Sequence, residues 1–182
     1  MRSSIVASAC IALAACLLGA VQVAASPTNG LVKRIINGFL MPKTLAPYGV
    51  SVTRWDAGGW VYMCGGTIIA PNYVLTAAHC IYNSTNQINP ASTFQVGYGS
   101  MNKTQQVHVW ATEVHPHPQY YVNGKTDGYF DLALIKVPNI PFGPSAQQIP
   151  IYMGDIQPLQ GLMAMGWGRT EPTAVLTSIL RG

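Results

Sequence analysis

The stretch C-G-G-T-I-I-A-P-N-Y-V-L-T-A-A-H-C, residues 64–80, decides how this chain is read. Gly66–Ala70 predicts a strand, Pro71-Asn72 a turn, and Tyr73–Thr76 a second strand. His79 then sits directly beside Cys80, a placement that on its own reads as structural. Outward from this segment, short extended runs recur with turn signals between them. Residues 93–98 (TFQVGY) and 107–114 (VHVWATEV) alternate with the period of two expected of half-buried strands. Residues 132–137 (LALIKV) form a continuous apolar run suited to a buried strand, and Gly161–Trp167 and Val175–Leu180 are two later candidates. Of the 182 residues, 49% are apolar and 9% charged, with 18 Gly and 13 Pro, a balance that favours an all-β chain over a helical one. The spacing suits a sandwich or a barrel, and periodicity alone does not choose between them.

The first 25 residues are read as a signal peptide. Arg2 supplies the positive start, Ile5 to Val21 is apolar and uncharged, and Val23-Ala24-Ala25 offers small residues for cleavage after Ala25. A membrane anchor is the competing reading, but no basic flank follows the run and small residues end it. Residues 26–34 (SPTNGLVKR) then read as a propeptide ending in Lys33-Arg34, with the main domain over 35–182. Cys10 and Cys16 leave with the signal, so the mature chain keeps Cys64 and Cys80. Two cysteines in a secreted chain favour one disulfide over a metal site. Removing Arg2, Lys33 and Arg34 also leaves seven basic residues against six acidic ones, a net charge of +1 instead of +4. That gives no electrostatic footing for a nucleic-acid or acidic-lipid partner.

Residues 64–80 closely resemble the histidine region of the chymotrypsin family, CGG(T/S)LI followed by WVLTAAHC, with Tyr73 in place of the usual Trp. Other landmarks follow in the family's order. Arg34 before Ile35-Ile36-Asn37-Gly38 resembles the activation junction. His117-Pro118-Gln119-Tyr120 resembles the segment preceding the catalytic aspartate, and Asp131-Leu132-Ala133-Leu134 resembles the aspartate motif itself. Ile149-Pro150-Ile151 and Gly161 to Thr170 resemble the start of a second barrel. The resemblance covers 35–182. It implies an all-β, chymotrypsin-like double β-barrel, with the first barrel complete and the second only partly present. The implied activity is secreted, trypsin-like endopeptidase chemistry on protein or peptide substrates, with no cofactor.

That chemistry needs a hydroxyl made nucleophilic, an imidazole that takes its proton, and a carboxylate that orients the imidazole. The resemblance assigns His79 as general base and Asp131 as its partner. Asp127, in G-K-T-D-G-Y-F, is the rival acid, but it lacks the apolar run that would bury it. The nucleophile should lie in G-D-S-G-G-P, and no such motif occurs in these residues. None of Ser84, Ser92, Ser100, Ser145 and Ser178 lies between glycines that could build an oxyanion hole from backbone N–H groups. The acceptor for the Ile35 amine and the walls of the specificity pocket are missing too. The chain as given is therefore expected to be inactive, with a folded first half and a looser C-terminal portion.

Asn83-Ser84-Thr85 and Asn102-Lys103-Thr104 are glycosylation sequons, meaningful in a secreted chain. His115 and His117 lie two apart, but the resemblance accounts for His117, so no metal site is expected. Beyond signal removal no membrane association is expected. Three functions compete: an endopeptidase whose remainder lies elsewhere, a non-catalytic relative that binds or inhibits another protein, and a fragment without function.

Overall fold

The computed structural model describes residues 41–168 except 43, 123, 124 and 127. The signal peptide, the propeptide, the Arg34–Ile35 junction, Asp127 and the 175–180 strand expectation lie outside the described residues. Among the described residues nine strands follow one another: β1 (Gly49–Asp56), β2 (Gly59–Ala70), β3 (Tyr73–Thr76), β4 (Phe94–Tyr98), β5 (Val107–Trp110), β6 (Glu113–Pro116), β7 (Tyr121–Val122), β8 (Lys125–Thr126) and β9 (Ala133–Lys136). Short 3₁₀ turns at Ala78–Cys80, Ala91–Thr93, Lys103–Gln105 and Gly128–Phe130 punctuate them. No helix among the described residues is long and apolar enough to cross a membrane.

Seven strands form one antiparallel sheet in the order β5-β4-β1-β2-β3-β9-β6, and β7 pairs separately with β8. The sequence-consecutive strands β5 and β6 therefore stand at opposite edges of the sheet. Only Ala111 and Thr112 separate them, a span of at most about 11 Å between Trp110 and Glu113. The two edges must lie side by side, so the sheet curls into a barrel. Ala111 donates its N–H to Phe94 O on β4 at 3.0 Å, and Thr112 donates to Lys136 O on β9 at 2.8 Å. Each edge thus gains a bond from the link itself. The single strand expected over 107–114 is two strands for this reason, broken at the residues that close the barrel.

Alternation fills the interior. Val50 and Val52 on β1, Ile68 on β2, Val74 on β3, Phe94 and Val96 on β4 and Ile135 on β9 are all fully buried in one cluster. Each such side chain is worth roughly 1.5–3 kcal/mol relative to exposure. Gly66 is required by close approach: a Cβ there would meet Val74 Cγ1 at 2.8 Å and Val50 Cγ2 at 3.1 Å.

The β1–β2 hairpin closes at Asp56↔Gly59, leaving Ala57 and Gly58 as a two-residue loop. Both have positive φ, 47° and 88°, as a type I′ turn requires. β2 begins seven residues before the strand expected from Gly66, because pairing with β1 extends it. Beyond the barrel, the Gly161–Trp167 expectation fails: no strand forms there, because no described strand pairs with it.

Candidate active site

β3 and β9 are antiparallel neighbours, with Thr76 opposite Ala133. His79 comes three residues after the end of β3, and Asp131 two residues before the start of β9. Adjacent antiparallel strands place those two positions at the same end of the barrel, although 52 residues separate them. Ala77 leaves the strand in an extended conformation (φ −82°, ψ 145°), and the Ala78–Cys80 turn then swings the imidazole outward.

Asp131 grips His79 twice. Its Oδ1 accepts the His79 backbone N–H at 2.8 Å, and its Oδ2 lies 2.6 Å from His79 Nδ1. An ionised carboxylate can only accept, so Nδ1 carries the proton and the neutral ring presents Nε2 as the basic nitrogen. Partial burial pushes the Asp131 carboxyl up, but hydrogen bonds from the His79 backbone and ring and from Ala78 outweigh it and hold the group below its ordinary value. The His79 side chain is 60% exposed.

The acid has a built support. His117 donates its N–H to Leu132 O at 2.8 Å, and its ring stacks on Phe130, 4.8 Å between centroids and 10° between planes. His117 therefore clamps the residues on either side of Asp131. Tyr120, buried, has its hydroxyl pushed up by burial, then by the charge of Asp131 and by Tyr82. Composition and periodicity gave no sign of these supporting contacts; the H-P-Q-Y motif was the one signal that could have found them.

Cys64 and Cys80 form a disulfide with Cα atoms 6.2 Å apart. It ties β2 to the turn that carries His79, and Cys64 Sγ lies 3.8 Å from His79 Nε2. Cys64, His79 and Cys80 present three potential ligand atoms within 4.8 Å of one another. With both sulfurs in the bridge neither is a thiolate, so the set does not fit a metal ion. Thr76 Oγ1 donates to Gly65 O at 2.9 Å, fixing the same corner from β3. Among the described residues no serine hydroxyl hydrogen-bonds to His79.

At the sequons, Asn83 Oδ1 accepts from Thr85 N, Thr85 Oγ1 and Gln87 N. Asn102 Oδ1 accepts from Thr104 N and Oγ1. Both side-chain oxygens are engaged, and neither amide nitrogen has a partner among the described residues. His115 bonds Glu113 at 2.9 Å, not His117.

The family model described as Trypsin matches residues 35–181. This chain belongs to the trypsin family. Within it, the chain is 33% identical over 153 residues to kallikrein 1-related peptidase b27 of Mus musculus, covering 77% of this chain and 54% of that protein. It is 30% identical over 161 residues to a trypsin of Simulium vittatum, covering 86% and 62% respectively. The solved structure of GrC superposes with a TM-score of 0.66 at 22% identity over 81% of this chain and 63% of that one. That likeness establishes the chymotrypsin-like fold, with one closed barrel and a partial second one. The chain spans about half the length of several curated trypsin-family relatives it matches.

Proposed function

We propose that this chain carries the base and orienting acid of a secreted, trypsin-like serine endopeptidase. The double contact between Asp131 and His79 carries the reading. One oxygen fixes the backbone, the other fixes the tautomer, and Nε2 is left to take a proton from a serine and return it to a leaving amine. Asp131 then stabilises the imidazolium formed in between. Activation would follow cleavage between Arg34 and Ile35 after loss of residues 1–25, and Asn83 and Asn102 would carry glycans. Substrates would be proteins or peptides.

The 182-residue polypeptide supplies no G-D-S-G-G-P segment, so on its own it is expected not to hydrolyse peptides. Loss of a triad member costs roughly 10⁴–10⁶ in rate in such enzymes. The test joins residues 35–168 to the serine-bearing half of the Simulium vittatum trypsin and assays amide hydrolysis. The expected result is activity that His79→Ala abolishes, while the 182-residue chain alone shows none. A folded chimera whose activity is indifferent to His79→Ala defeats the proposal.

A second reading is a non-catalytic relative that binds another secreted protein. Failure of the 35–182 chain to retain a partner in a pulldown from its own secretome counts against it.

A further inference from the structure

Three of the four tryptophans of this chain gather at one place remote in the sheet from His79. Trp55 and Trp60 are directly opposed on β1 and β2, next to the tight Ala57-Gly58 turn. Trp110 ends β5, which is separated from β2 in the sheet by the two strands β4 and β1. Trp60 contacts both others, with centroids 5.4 Å from Trp55 and 5.1 Å from Trp110. The planes of Trp55 and Trp110 stand at 70° and 69° to that of Trp60, so Trp60 forms a floor and the other two form walls. Ser92 and Thr93 complete a recess of about 360 Å³.

A purely structural role fits these rings poorly. Trp55 is 48% exposed, Trp60 39% and Trp110 53%, whereas the fourth tryptophan, Trp167, is buried and donates Nε1–H to Met101 O. A recess that is mostly aromatic with a few hydroxyls has the make-up of a small-ligand site, and its volume falls at the low end for one. Its lining carries no charge. Arg54 and Asp56 flank Trp55 on the alternate face of the strand and pair with each other at 3.0 Å. A cationic ligand would find ring faces but no carboxylate in the lining to complement it. The Ser92 hydroxyl has no intramolecular partner among the described residues, and Thr93 Oγ1, which donates to Pro90 O, can still accept.

We propose that Trp55, Trp60, Trp110 and Ser92 form a binding site for a neutral sugar ring. The apolar C–H face of a pyranose is electropositive and packs on the electron-rich indole face. The ring's hydroxyls, arrayed around its rim, meet Ser92 and Thr93. The ligand class is therefore an uncharged oligosaccharide, held outside the His79–Asp131 corner, and the site does not depend on whether that corner is catalytic.

Intrinsic tryptophan fluorescence of the full chain tests this, with maltohexaose, cellohexaose, laminarihexaose and hexa-N-acetylchitohexaose as probes and tetramethylammonium as the cationic comparison. At least one of the four sugars is expected to give a saturable change with Kd below about 1 mM. Trp110→Ala and, independently, Ser92→Arg, which fills the recess from an exposed position, are each expected to weaken that Kd at least tenfold while far-ultraviolet circular dichroism stays unchanged. The proposal is overturned if none of the four sugars saturates, if tetramethylammonium binds in their place, or if a sugar response survives Ser92→Arg in a folded protein.

Discussion

The barrel over Gly49–Val137 and the segment over 141–168 are both rich in apolar residues, yet they use them in opposite ways. In the barrel, Val50, Ile68, Val74, Phe94 and Ile135 are sealed from water on strands that pair on both sides. In the later segment, Ile151, Tyr152, Met153, Ile156, Leu159 and Leu162 are all more than half exposed. A single isolated bridge, Gly143↔Ala146, pairs this segment with itself among the described residues. Ala146 and Trp167 are the exceptions: Ala146 is buried in the barrel's own cluster, and the Trp167 ring packs against Tyr62, with centroids 6.2 Å apart, which anchors the segment to β2. Apolar content alone does not make a core. Strand partners do, because they satisfy the backbone and hold alternate side chains on one face.

The contrast is broken most severely by truncation in the two regions. Ile135→Ala is expected to lower stability by roughly 2–5 kcal/mol, since it opens a cavity in a closed interior. Leu159→Ala is expected to stay within about 0.5 kcal/mol, since its side chain is already in water. Urea denaturation monitored by circular dichroism checks both, and equal losses would erase the distinction. Next in size, the Cys64→Ser/Cys80→Ser double variant is expected to lose roughly 3 kcal/mol, as removal of a crosslink closing a loop of this length implies. A related outcome concerns cleavage: limited proteolysis should cut first within 151–163 and leave a core ending near residue 150.

The smallest expected effect sits at the corner itself. The Asp131 carboxyl is held below its ordinary value, so the folded state binds that proton less tightly than the unfolded chain does. Its stabilisation is therefore present above the ordinary aspartate range, about 3.9, and is lost as pH falls through the lower folded value. Asp131→Asn is expected to be less stable than the native sequence at neutral pH. The gap should close below about pH 4 in thermal denaturation measured across pH. A gap that stays constant with pH would mean the carboxylate charge plays no part.

Much of this was legible because one motif spans the corner. Tyr73–Thr76 is a strand with the bounds its sequence implied, His79 and Asp131 lie in contact, and Cys64 is bridged to Cys80. Other elements carried weaker signals. On β1, the inward face reads Val50, Val52, Arg54, so its alternation lapses partway. The early part of β2, W-V-Y-M-C, is bulky at every position and has no period of two; its pairing with β1 defines it. The Ala111–Thr112 break left no mark in an alternating run, because it follows from two distant edges meeting. The tryptophan recess escaped because Trp110 is 50 residues from Trp60 in the chain and two strands lie between them in the sheet, so only the folded sheet unites them.

The Ala111–Thr112 link has one more consequence. Through Thr112 it is bonded to Lys136, on the strand that leads out of Asp131. An extra residue at the exposed positions 84–87, in the connection between β3 and β4, would bulge into water and leave the sheet in register. An extra residue between 110 and 113 would have to be absorbed by one seam of the barrel, and slippage there would travel along β9 to the acid. Lineages of this sequence should therefore vary freely in length at the first place and hardly at all at the second, so the tolerance of the chain to insertion maps how its acid is held in place.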